Sequence, residues 1–214
     1  SDIITIEDID QVDGRIILEY RGKGDDPVVH DEDRYEHYIP PKHPRYFFRR
    51  LMWACLLSGG HATYGGAKTY EPYDGDLRGV QGYFDLARAG KLEGAHDFRN
   101  IHKFFTEAKL TLVGMSPDDS LLGGNPLKCK CIHNRKTFII YLANPTGSRP
   151  QTDAEADGVP SVTVRLPDGT YSVEWFDPSA GTWKRGDDVA GREQTPAAPG
   201  PGDWILLLRS KVGP

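Results

Sequence analysis

Nine consecutive residues, His30-Asp31-Glu32-Asp33-Arg34-Tyr35-Glu36-His37-Tyr38, carry ionisable or phenolic side chains. They follow Pro27-Val28-Val29, an apolar β-type run. A carboxylate at the end of a strand, beside arginine, tyrosine and histidine donors, can be held ionised as a nucleophile or base. A solvated charged loop with an ion pair to Arg34 has the same composition. The apolar run before it favours chemistry, because such a strand delivers its loop to a strand-end face. A second set is His61, Thr63 and Tyr64, followed by Gly65-Gly66. Glycines let backbone approach a ligand closely, and tyrosine can hydrogen-bond to or stack on a sugar. The same residues also make an ordinary strand-to-helix turn. Tyr70, Tyr73, Tyr83 and Phe84 extend this aromatic neighbourhood. Glu7, Asp8 and Asp10 end the first apolar run and could line the same mouth, or serve as plain loop residues. Trp175 and Trp183 flank an Asp177-Pro178 turn, as a sugar platform or as buried core.

These residues need elements to hold them, and the rhythm of the chain changes near residue 112. Before it, short apolar runs alternate with helical stretches. Ile3 to Ile6, Pro27 to His30 and His61 to Tyr64 read as strands, and Pro44 to Ser58 as a helix with apolar residues at helical spacing. Gln11 to Tyr20 is compatible with helix or strand. Gly79 to Ala108 reads as helical with a break around Gly90 and Gly94, burying Phe84, Leu86, Ala87, Phe98, Ile101, Phe104 and Phe105. Apolar strands alternating with helices indicate parallel β/α units, whose C-terminal strand ends carry chemistry. After residue 112 the pattern is strand and turn: Thr137 to Leu142, Val162 to Leu166, a Pro167-Asp168-Gly169 turn, Tyr171 to Phe176, and Trp204 to Leu208. Strands at this spacing predict a small antiparallel sandwich.

Composition narrows the classes. The chain has 214 residues, net charge −5, 24 glycines and 16 prolines, with a mean hydropathy of −0.53. No basic excess points to nucleic acid as a partner. The longest apolar run, Leu51 to Ser58, is far shorter than the ~20 residues of a membrane span. No P-loop, G-x-G-x-x-G, H-E-x-x-H or G-x-S-x-G occurs, so neither a cofactor nor a metal is expected. Three cysteines are too few for a disulfide scaffold. Cys55 reads as core, and Cys129 and Cys131 are assigned to opposite faces of a strand, which argues against a mutual disulfide. The chain opens without a charged-then-apolar leader and without Met, the start expected of a processed or truncated chain. A longer precursor would fit a secreted or periplasmic protein.

Pro27-Val28-Val29-His30-Asp31-Glu32-Asp33-Arg34-Tyr35-Glu36 resembles the P-V-x-x-x-E-x-x-Y-E segment of apiosidase-like glycoside hydrolases. Arg50-x-x-x-Trp53 with Gly59-Gly60-His61-Ala62-Thr63-Tyr64-Gly65 resembles their next β/α unit. Tyr171-x-Val173-x-Trp175-Phe176-Asp177-Pro178-x-x-Gly181 and Asp203-Trp204-Ile205-Leu206 resemble the β-sandwich, labelled collagen-binding, that trails such barrels. The fold this resemblance implies is α/β plus all-β. Residues 1–111 would be the last three β/α units of a TIM-type barrel, and residues 112–214 a β-sandwich accessory domain. It also implies retaining hydrolysis of a carbohydrate, with Glu32 as nucleophile and Glu36 as second candidate. His30, Tyr35, His61, Tyr64, Glu7 and Asp8 would bind substrate. Retaining hydrolysis needs a second carboxyl about 5–5.5 Å away, and the strand that should carry it has no counterpart here. Three units cannot close a barrel. A complementary barrel segment or a homo-oligomer partner is therefore expected, with a non-catalytic carbohydrate-binding or structural fragment as the alternative.

Overall fold

A computed structural model describes residues 2–7, 12–31, 35–36, 45–66, 79–124, 128–144 and 158–211, with backbone alone for 79–83. The first elements are β1 (Ile4–Ile6), α1 (Arg15–Arg21), β2 (Val28–His30), α2 (Arg45–Leu57) and β3 (His61–Ala62). The three strands pair in parallel in the order β1-β2-β3, with Thr5 opposite Val29 and Val29 opposite His61. Alternation along each strand sends Ile4, Ile6, Val28 and Ala62 to one side, into a core with Ile16 and Ile17 of α1 and Phe47, Phe48 and Leu51 of α2. Thr5, Val29 and His61 occupy the other side, where Thr5 and His61 are exposed. The stretch compatible with helix or strand resolves as helix α1.

Helix α2 is buried on nearly every side. A helix apolar all round belongs between layers, and α2 lies between two. Phe47, Phe48, Leu51, Met52 and Cys55 meet the parallel sheet, whereas Trp53 and Leu57 meet the sheet that follows. Two further helices, α3 (Gly79–Arg88) and α4 (Gly94–Ala108), flank the expected break. Their faces differ from the expected apolar stripe. Phe84, Ala87 and Phe98 are exposed, while Asp97, Asn100 and Phe104 form the buried face of α4. Polar side chains take that face because acceptors and donors wait there. Asn100 donates to the carbonyls of Pro178 and Ser179 at 3.0 and 3.1 Å, and Asp97 accepts from two arginines.

The remaining strands are β4 (Ser116–Pro117), β5 (Leu122–Gly123), β6 (Cys129–His133), β7 (Thr137–Leu142), β8 (Thr163–Asp177), β9 (Thr182–Arg185), β10 (Val189–Gln194) and β11 (Trp204–Ser210). They form one eight-stranded antiparallel sheet in the order β10-β8-β11-β7-β6-β4, with β5 and β9 also on β8. The expected two-sheet sandwich is replaced by a single curled sheet. The expected Pro167-Asp168-Gly169 turn is likewise absent as a turn: β8 runs through it for 15 residues. Thr170 pairs with Ala190 and Leu166 with Arg192, so β8 spends four residues where β10 spends two. The three residues bulge, and a bulge bends its strand. Gly191 permits this, since a Cβ there would stand 2.3 Å from the Pro167 carbonyl oxygen.

The curl gives the sheet two buried faces. Inside lie Phe138, Ile140, Val164, Val173, Trp175, Leu206 and Leu208. Outside, Ile132, Ile139, Tyr141, Phe176, Ile205 and Leu207 pack against Trp53, Leu57 and Phe104 of the helices. Cys129 and Cys131 do not point to opposite faces. Residues two apart on a strand share one, and both thiols sit free in the inner core.

Candidate active site

Polar residues follow the C-terminal ends of β2 and β3. The Asp31 amide donates to the Ile6 carbonyl at 2.8 Å and the Thr63 amide to that of His30 at 3.0 Å. Those bonds carry the sheet one residue beyond each strand. The Thr63 hydroxyl then donates to Asp31 Oδ1 at 3.0 Å. His30 is buried, Tyr35 half-buried and Glu7 exposed just past β1.

Glu36 is the most firmly held of the candidates. Its amide donates to the Gly65 carbonyl at 2.7 Å. Its carboxylate accepts the Tyr64 hydroxyl, the Gly94 amide at 3.0 Å and the Glu93 amide at 3.2 Å. Those two amides open α4, whose own N-cap side chain makes no capping bond. Glu36 thus caps the helix from another loop, with its charge at the positive end of the helix dipole. Gly94 is required here: a Cβ would stand 2.4 Å from Tyr64 Cε2. The Tyr64 ring completes the clamp with edge contacts to Phe48 and Phe98, at centroid distances of 5.2 and 5.9 Å. Only 7% of Glu36 is exposed, and three donors occupy its oxygens. That is the geometry of a loop anchor.

The candidates therefore fall into three groups. Glu36 and Tyr64 touch, and His30 lies at the same strand ends. His61 begins β3 and lines a cleft of about 290 Å³ with Arg21, Asp25 and Asp26, around the N-terminal end of β2. The structure does not bring it to Glu36. Glu32 and Asp8 lie outside the described residues, as do Asp10, Tyr70 and Tyr73. The tryptophan platform does not form. Trp175 is in the inner core against Trp204, and Trp183 stacks on Phe104 and donates to Glu107 at 2.8 Å.

Sequence reasoning missed a charged network at the start of α2. Arg49 donates to Asp203 at 2.8–3.1 Å and to Asp97 at 3.2 Å, and Arg45 donates to Asp97 at 2.5 and 2.9 Å. The Tyr141 hydroxyl adds a bond to Asp203 at 3.1 Å. Burial pushes the Asp97 carboxyl above its ordinary value, with Arg45 and Arg49 opposing the shift. A signal existed: arginines four apart on an otherwise apolar helix must be paired if that helix is buried. Among the described residues, no group of three His, Cys, Asp or Glu is placed to hold a metal ion. No helix there is long and apolar enough to cross a membrane.

No protein-family model matches this sequence, and no curated protein sequence is significantly similar to it. Solved structures do match. A structure named glycoside hydrolase superposes with a TM-score of 0.70 at 14% identity, over 95% of this chain and 47% of its own. A glycoside hydrolase family 5 protein from Bacteroides vulgatus gives 0.68 at 12% identity, over 93% of this chain and 45% of its own. Another protein assigned as a glycoside hydrolase, from the same species, gives 0.62 at 14% identity, over 98% and 41%. The likeness is one of fold. The chain spans less than half the length of each of these structures.

Proposed function

We propose that this chain is the C-terminal part of a retaining glycoside hydrolase that acts on a polysaccharide or its side chains. The reading rests on one observation above the rest. A loop rich in carboxylates leaves the C-terminal end of a parallel strand and is fastened, through Glu36, to Tyr64 and to the first amides of α4. We assign Glu32, four positions earlier in the sequence, as the nucleophile. Its carboxylate would attack the anomeric carbon, and water would then hydrolyse the glycosyl-enzyme. Glu36 then positions the loop rather than reacting. His30, Tyr35 and Tyr64 would shape the sugar subsite, while Glu7 and Asp8 would border it from β1. The fold shared with glycoside hydrolases supports this reading, as does the Pro27–Glu36 resemblance to apiosidase-like enzymes.

The acid/base carboxyl and the missing strands would come from a complementary barrel segment or a second copy. Within the described residues, β1 and β3 end the parallel sheet, each with a strand on one side only. Open edges of this kind pair readily with further strands. The test is Glu32→Gln in the protein carrying its complementary segment, assayed for reducing-sugar release on a glycan panel. Turnover should vanish while the circular dichroism spectrum is unchanged. Retained turnover overturns the assignment.

A further inference from the structure

We infer that the 177–181 turn of the curled sheet is a positioning element for the Glu36 clamp, acting through α4. That the clamp borders a substrate site rests on the function proposed above, whereas the link from turn to clamp does not. The turn has its own frame. Asp177 Oδ1 accepts the Ser179 amide at 2.8 Å, the Ser179 hydroxyl at 2.7 Å and the Ala180 amide at 2.9 Å. The Gly181 amide donates to the Asp177 carbonyl at 2.8 Å. With these amides spent inside the turn, its other carbonyls need donors from outside, and α4 supplies them. Asn100 donates to the carbonyls of Pro178 and Ser179, and Lys103 to that of Gly181 at 2.6 Å. Glu107, a turn further along, accepts from Trp183. Asp97 begins the row, and Arg45, which donates to it, also donates to the Ser179 carbonyl at 2.9 Å. Steps of three and four residues put Asp97, Asn100, Lys103 and Glu107 on one face of the helix. Gly181 lets the turn come this close. Its φ is +67°, and a Cβ there would stand 2.5 Å from Asn100 Oδ1.

A polar row of this kind does what apolar packing does not. Burial of Phe104 against the sheet is non-directional and tolerates a small slide or roll of the helix. Hydrogen bonds to fixed carbonyls weaken steeply once they leave line, so the row sets both the height and the rotation of α4. The helix needs that setting at its first turn. Its N-cap side chain makes no capping bond there, and the Glu93 and Gly94 amides are given to Glu36. Gly94 lies six residues before Asn100 along one continuous helix, about 9 Å. A displaced α4 would carry both amides away from the Glu36 carboxylate. It would also move Gly94 against the Tyr64 ring, where there is no room for so much as a Cβ.

Amide hydrogen exchange of the full chain, read at Glu93 and Gly94 by NMR, tests this. Asn100→Asp keeps the side-chain shape but sets an acceptor against two carbonyls. It should accelerate exchange at both amides about fivefold, the equivalent of one lost hydrogen bond. Lys103→Met should accelerate it about twofold, and Lys103→Arg, which keeps a donor, should return the wild-type rate. Val173→Ala removes buried atoms from the inner core, on the face of the sheet away from α4. It should lower stability and leave both exchange rates unchanged. Wild-type rates in Asn100→Asp and Lys103→Met overturn the proposal. Equal acceleration in Val173→Ala, the mark of general destabilisation, overturns it too. Should Asn100→Asp not fold, the two variants of the half-exposed Lys103 decide alone. Retained turnover in Glu32→Gln would remove the hydrolytic reading and leave these exchange rates to decide the role of the turn.

Discussion

Glu36 illustrates how environment divides work among carboxylates that look alike in sequence. Three donors and near-complete burial suit an anchor, since hydrogen bonds to a charged group contribute about 1.5–3 kcal/mol each. Glu36→Gln preserves size and one acceptor oxygen but turns the other toward the α4 amides as a donor. It should destabilise the fold by about 1–3 kcal/mol in urea unfolding, and hydrogen exchange at Glu93 and Gly94 should accelerate. Glu32→Gln should do neither, so unchanged exchange in Glu36→Gln would remove its anchoring role. The cysteines make a second residue-scale case. Burial, with Asp119 nearby, pushes the Cys129 thiol up to about 12 and the Cys131 thiol higher still. In the unfolded chain both ionise near 9, the ordinary thiol value. Stability is therefore unaffected below pH 9 and falls between pH 9 and 12, by about 1.4 kcal/mol per thiol per unit. Urea unfolding at pH 8 and 10.5 measures the slope, and replacing both cysteines by alanine should reduce it.

Among the elements, α2 depends most on partners distant in sequence. Its buried Arg49 is balanced by Asp203, 154 residues later, and by Asp97. Removing one member of such a pair leaves an uncompensated charge and costs about 3–5 kcal/mol. Asp203→Ala should lower stability by that amount, and Asp203→Asn should recover part of it by retaining an acceptor for Arg49. Equal stability of wild type and Asp203→Ala in urea would show that the network carries no net energy. How far such elements were legible depended on whether local pattern or pairing decided them. Val28-Val29-His30 and Thr137 to Leu142 are strands by side-chain type alone. Pro167-Asp168-Gly169 carries the same chemistry in a turn or in a bulge, and only the β10 and β11 pairings settle it. Sandwich and curled sheet share one alternation of inward and outward residues. On α4, Phe98 follows the apolar period, yet Asp97 and Asn100 are buried because Arg45, Arg49 and the 178–179 carbonyls lie opposite. The charged loop was legible after its strand, but the capping bonds of Glu36 were not, since its donors from Tyr64 and α4 are far away in sequence.

At the scale of the whole molecule, the boundary near residue 112 separates two sequence rhythms but crosses a shared core. Trp53, Leu57 and Phe104 pack with Ile132, Ile139, Tyr141, Ile205 and Leu207, and Arg209 ties the sheet to α4 by donating to the Ala108 carbonyl at 2.5 Å. Residues 112–214 alone would expose this outer face, a continuous apolar strip of the sort that drives association. The two parts should therefore unfold together. Trp53→Ala deletes a fully buried side chain from that core and should cost about 3–5 kcal/mol. Because the deletion lies on the shared surface, it should lower a single transition, with tryptophan fluorescence and far-ultraviolet circular dichroism remaining coincident. Two transitions, of which Trp53→Ala moves only one, would show that residues 112–214 are an accessory domain stable in its own right. Coincidence would make the curled sheet part of the scaffold holding α2, and through α2 and α4 the Glu36 clamp. On that outcome, core substitutions on the sheet would reach the candidate active site without touching any residue in it.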